Sequence, residues 1–147
     1  DRVAPVSTVR EASFDLFRAC GMTTIFGNPG STELPMLADY PDDFRYILGL
    51  HEIPATAMAD GYAQASRSLG VLNVHICCGL GNAMGMLYDA YEAGTPLLVT
   101  AGQHDQAMNL TEPILWSDLP PVARPFVKWS TELHRLEDLP RVVPAFK

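Results

Sequence analysis

The stretch VLNVHICCGLGNAMGMLYDAYEAGTPLLVTA, residues 71–101, decides the fold. Val71 to Cys77 is an apolar run of strand length, and Gly79-Leu80-Gly81 breaks it. A helical pattern follows from about Asn82 to Glu92, Gly94-Thr95-Pro96 stops it, and Leu97 to Ala101 reads as a second strand. Strand, helix, strand in this compass is a βαβ crossover, so the two strands run parallel in one sheet.

Working upstream, the same grammar repeats. Val9 to Cys20 carries apolar residues at helical spacing, with Gly21 as the stop. Thr23 to Phe26 reads as a strand broken by Gly27-Asn28-Pro29-Gly30, after which Ser31 or Thr32 is placed to N-cap a helix through Leu34, Leu37 and Ala38. Phe44 to Leu50 is a further strand, and Pro54 lies in the first turn of a helix that continues to about Ser66. Strand starts near residues 23, 45, 71 and 97 predict an α/β fold: an open parallel sheet with helices on both faces, spanning 1–147 as one domain. Downstream, Pro113, Pro120, Pro121 and Pro125 predict an irregular segment, and Leu136 to Phe146 reads as the start of a last helix.

Composition narrows the function. The chain has 147 residues, 48% hydrophobic and 18% charged, with a net charge of −7. It is apolar enough to build a core, and its negative charge repels phosphate backbones and anionic lipid, so no nucleic-acid or membrane partner is expected. Ser68 to Tyr88 is uncharged over 21 residues, but its four glycines, Asn73, His75 and Asn82 exclude a membrane span. No secretory leader is read at the start of the chain. Cys20, Cys77 and Cys78 fit neither a disulfide framework nor a zinc site, and are expected as buried thiols of a reducing cytoplasm.

In an open α/β sheet, ligands bind beyond the C-terminal ends of the strands. Here those ends are Gly27 to Ser31, His51-Glu52, Cys78 to Asn82, and Gly102-Gln103-His104, with His75 just inside the third strand. The Gly27 to Ser31 loop reads either as a phosphate cradle or as a tight strand-to-helix turn. It lacks the Gly-Lys-Ser/Thr ending of an ATP loop, and Gly79-x-Gly81 lacks the third glycine of a dinucleotide site, where Met84 stands. Glu52 follows an apolar strand and opens a helix. It either complements the helix dipole or, with a pKa raised by burial, holds and shares a proton. His75 is either a satisfied core histidine or a proton carrier.

Four motifs then reach a family. Phe26-Gly27-Asn28-Pro29-Gly30-Ser31, Leu48-Gly49-Leu50-His51-Glu52, Ala59-Asp60-Gly61-Tyr62-Ala63 and Gly81-Asn82-Ala83-Met84-Gly85 resemble the pyrimidine-binding domain of thiamine-diphosphate enzymes. The Asn-Pro-Gly-Ser loop with His75 resembles the benzoylformate decarboxylase branch, and Gln103-His104-Asp105 lacks the His-His pair of pyruvate decarboxylases.

The resemblance implies a thiamine diphosphate cofactor whose aminopyrimidine nitrogen is hydrogen-bonded by Glu52, with Asn28, Pro29, Gly30 and Asn82 lining it. It implies that Ser31 contacts the carboxylate of an aromatic 2-oxo acid substrate, and that His75 transfers protons as benzoylformate becomes benzaldehyde and carbon dioxide. Magnesium or calcium and the diphosphate belong, by the same resemblance, to a second domain absent from this chain. That domain comes from a neighbouring subunit, which makes the enzyme a homo-oligomer, dimer or tetramer. The chain then reads as a C-terminally truncated piece of a three-domain enzyme. The alternatives are an acetolactate-synthase-like or oxalyl-CoA-decarboxylase-like activity, or a non-catalytic interaction module of the same fold.

Overall fold

The computed structural model describes residues 8–142. Helix α1 (Val9–Ala19) opens with a capping box, in which Thr8 and Glu11 exchange side-chain and backbone hydrogen bonds. There follow β1 (Thr24–Asn28), the single turn α2 (Leu34–Leu37), β2 (Arg45–Leu48), α3 (Glu52–Ser66), β3 (Gly70–Val74), α4 (Ile76–Ala93) and β4 (Leu97–Ala101). Short helices α5 (Leu119–Ala123) and α6 (Leu139–Val142) lie in the last third, where the expected irregular segment is also found. The part of the expected last helix beyond Val142 lies outside the described residues.

All strand pairs are parallel and the order is β2-β1-β3-β4. The chain leaves β1 toward one edge and returns to β3 on the other side, so the direction of winding reverses between β1 and β3. Right-handed crossovers then put α3 and α4 on one face, where Ala55, Ala59, Leu80 and Ala83 pack on Phe26, Leu72 and Val74. On the opposite face Phe14 and Phe17 of α1, with Leu139 of α6, cover Ile25, Val71 and Leu98. The expected open parallel sheet with helices on both faces is the observed one.

Three local expectations are corrected. The third strand ends at Val74 rather than Cys77, so His75 sits at the strand-to-helix junction, Cys77 belongs to the first turn of α4 rather than to the strand, and Cys78, Gly79 and Gly81 belong to its first turns rather than to a loop. Neither Ser31 nor Thr32 caps α2: the helix is one turn long, and the carboxylate of Glu33 takes the backbone N–H of Gly30 instead. The thiols are all free, but Cys78 is exposed while Cys20 and Cys77 are half-buried.

A polar rail crosses the sheet interior. The Tyr46 hydroxyl on β2 donates to Asn73 Oδ1 on β3 (3.0 Å), and Asn73 Nδ2 donates to Thr100 Oγ1 on β4 (3.1 Å). Asn73 is buried, so these bonds replace the water it loses. Burial, with the negative charge of Glu33 and the neighbouring Tyr40 behind it, pushes the Tyr46 phenol upward and keeps it a donor.

Candidate active site

Glu52 is the first residue of α3, and its side chain is carried inward where the helix meets the strand ends. His51 caps that helix, its Nδ1 accepting the N–H of Ile53 at 3.2 Å. The Glu52 residue is only 4% exposed, an unusual fate for a carboxylate without a cation. Two amides compensate. Asn28 Nδ2, from the end of β1, donates to Oε1 at 3.0 Å, and Asn82 Nδ2, from α4, donates to Oε2 at 3.0 Å. Gly79 faces the same carboxylate: a Cβ there would stand 3.1 Å from Oε1. Three elements converge on one acid at the end of the sheet where the winding reverses, which is where such folds bind ligands.

This environment overturns the expected raised pKa. Burial does act to raise it. However, the hydrogen bonds from Asn82, from the backbone N–H of Glu52 itself and from Asn28, with His51 nearby, outweigh burial and hold the carboxyl below its ordinary value. Each of these donors favours the ionised form, so Glu52 stands as an acceptor waiting for a donor.

His75 belongs to a second, adjoining network. Its Nδ1 lies 2.9 Å from Glu33 Oε2 and 3.2 Å from Thr32 Oγ1. Glu33 Oε2 also accepts the N–H of Gly30 at 2.8 Å, and Oε1 accepts the N–H of Gly102 at 3.0 Å and the Thr32 hydroxyl at 2.7 Å. Gly30 lies so close to the His75 ring that a Cβ would collide with it. The two networks meet through the Asn28-Pro29-Gly30 backbone and the hydrogen bond from Gly79 N–H to the His75 carbonyl, 2.7 Å. Pro29 and Gly30 are half-buried on that loop, whereas Ser31 stands exposed.

The sequence singled out Glu52, Asn28, Asn82, His75, Pro29, Gly30 and Ser31, and the fold gathers all but the exposed Ser31 in or beside these two networks. It did not single out Glu33. One signal was available, since a Glu three residues after Gly30 has the spacing by which a side chain returns to a helix-start N–H. The large cavity along edge strand β4, lined by Leu97, Val99, Phe126 and Trp129, includes neither Glu52 nor His75.

Residues 7–117 match the family model described as the thiamine pyrophosphate enzyme, N-terminal TPP binding domain. The chain is 47% identical over 139 residues to the benzoylformate decarboxylase of Pseudomonas aeruginosa, covering 94% of this chain and 26% of that protein. It is 34% identical over 127 residues to the mitochondrial acetolactate synthase catalytic subunit of Saccharomyces cerevisiae, covering 84% of this chain and 18% of that protein. The solved thiamine diphosphate-dependent 4-hydroxybenzoylformate decarboxylase of Rhodococcus jostii RHA1 superposes with a TM-score of 0.91 at 45% identity, over 95% of this chain and 27% of that one. The chain thus spans about a quarter, or less, of the length of these relatives.

Proposed function

This chain belongs to the thiamine pyrophosphate enzymes through their N-terminal binding domain, and from that premise we propose that it is the pyrimidine-binding part of a longer 2-oxo acid decarboxylase of the benzoylformate type. The observation that carries the reading is Glu52: a buried, ionised acceptor pre-set by Asn28 and Asn82 in the crevice at the winding reversal.

The residues present fit an aminopyrimidine. A ring nitrogen that gains a proton needs a fixed anionic acceptor, and a flat ring needs walls without side chains. Glu52 supplies the first, and in this reading the side-chain-free Gly79 and Gly30, packed against Glu52 and the His75 ring, keep the loop beside it low. In this reading Asn28, Pro29, Gly30 and Asn82 line the cofactor, while Ser31 binds the substrate carboxylate and His75 moves a proton at the substrate oxygen. Thiamine diphosphate, when bound, supplies the carbon nucleophile and the electron sink for loss of carbon dioxide. Its diphosphate and a magnesium or calcium ion would sit on another domain, contributed by a neighbouring subunit of a homo-oligomer.

The test is benzaldehyde release from benzoylformate by the full-length enzyme with thiamine diphosphate and magnesium. Acetolactate formation from pyruvate in its place would favour the second reading, which the 34% identity to acetolactate synthase supports. No turnover of either would favour a non-catalytic module.

Two expected results follow here. Ser31→Ala raises the Michaelis constant for benzoylformate by about tenfold, the weight of one hydrogen bond to a charged group, with turnover changed far less. Steady-state kinetics decides it, and an unchanged Michaelis constant removes Ser31 from the substrate site. Separately, residues 1–147 alone bind thiamine diphosphate more weakly than micromolar, because a chain of net charge −7 offers the anionic diphosphate no anchor. Titration calorimetry reads this directly, and micromolar or tighter binding would contradict it.

A further inference from the structure

Glu33 has no part in the reading above, yet it is among the most deeply buried acids of the described residues, at 3% exposure. We propose that Glu33 is the positioning residue of His75: it fixes the proton of the imidazole on Nδ1 and so leaves Nε2 as the nitrogen available to a substrate. The link to turnover rests on the proposed function; the proton placement does not.

The geometry allows one arrangement of hydrogens. A carboxylate only accepts, so across 2.9 Å the Nδ1 of His75 donates to Glu33 Oε2. The Thr32 hydroxyl spends its proton on Glu33 Oε1 at 2.7 Å, so its oxygen is left as an acceptor facing the same Nδ1–H at 3.2 Å. Both neighbours of Nδ1 therefore ask for a proton there. Glu33 cannot swing away, because the N–H groups of Gly30 and Gly102 clamp its two oxygens to separate loops. The ring cannot turn freely either, since Gly30 lies against it. Nε2 takes no partner among the described residues.

The backbone adds a second sign of purpose. Ile76, directly after His75, has φ +42°, a left-handed conformation unfavourable to a buried β-branched residue. Such strain collects where geometry at a site is over-determined. Here it turns the chain from β3 into α4 at the residue that follows the histidine Glu33 holds. His51 offers the opposite case on the same crevice: its Nδ1 accepts the Ile53 N–H, so its proton lies on Nε2.

The test begins with the unmutated protein. Long-range proton–nitrogen NMR of the four histidines should report His75 protonated at Nδ1 and His51 at Nε2. His75 protonated at Nε2 would overturn the proposal without any variant. In Glu33→Gln the amide nitrogen replaces one acceptor, and His75 should lose its fixed Nδ1 proton. In the holoenzyme with benzoylformate, Glu33→Gln should lower kcat at least about tenfold with KM within about twofold, because a histidine with its proton on the wrong nitrogen cannot serve. In a His75→Ala background the same change should cost nothing further in kcat. An equal loss in that background would mark Glu33 as a structural clasp and overturn the proposal. A His75 that changes nitrogen in Glu33→Gln, in an enzyme that never turns over benzoylformate, sinks the proposed function and supports this inference.

Discussion

Glu52→Gln lowers turnover of benzoylformate by at least about a hundredfold at saturating thiamine diphosphate, the lower range for a positioned proton-transfer group. The variant keeps size and shape but not the chemistry. Glu52 presents two acceptor oxygens to two amide donors, Asn28 Nδ2 and Asn82 Nδ2, each at 3.0 Å. A glutamine has one oxygen and one NH2, so one asparagine faces a donor and must turn over to present its own oxygen. The site is then neutral where a ring nitrogen needs an anion to hold a proton, and the amide cannot exchange that proton. Cofactor affinity falls much less if, as proposed, the diphosphate is anchored on another domain. Steady-state kinetics with calorimetric cofactor binding separates the two effects. Near-native turnover in Glu52→Gln would remove both the role of this residue and the proposed function.

Gly27→Ala destabilises the protein by about 3 kcal/mol, the upper range for forcing a methyl group into a closed interior. Gly27 is in β1 between β2 and β3, and the Tyr46 hydroxyl passes over it to reach Asn73. A Cβ at this position collides with the Tyr46 hydroxyl and with the Asn73 carbonyl oxygen. The phenol can retreat, but only by leaving Asn73 Oδ1 without its donor. The carbonyl is backbone and retreats only by separating β1 from β3. Urea denaturation of Gly27→Ala beside the parent reads the loss as a lower midpoint. An unchanged midpoint would mean that the Tyr46–Asn73 bond bears no weight. Because Asn28 follows Gly27 directly, the variant should also loosen the Asn28 contact with Glu52.

Much of this was legible in the residues. Leu97 to Ala101 was read with its observed bounds, because an apolar run between Thr95-Pro96 and Gly102 carries its own punctuation. The helix from Glu52 to Ser66 was read from Pro54 near its start and its length. The start of α4 was missed by six residues, from Asn82 back to Ile76. Gly79 and Gly81 imitate a loop when read along the chain. In the fold Gly79 is buried against Glu52 and Val74, and a helix interior accepts it because packing, not propensity, holds the turn.

The same division holds at the site. Sequence by itself determined the parallel sheet, and it set Glu52 at a strand end with a helix-dipole role and a proton-holding role both open, since these follow from local pattern and chain order. Two things were decided only in three dimensions. The direction of the Glu52 pKa depends on donors 24 and 30 residues away, Asn28 and Asn82, and they reverse what burial alone would do. The role of Glu33 depends on His75 and Gly102, 42 and 69 residues along the chain. A hydrogen bond acts across about 3 Å of space whatever the length of chain between its partners, so no local pattern records it.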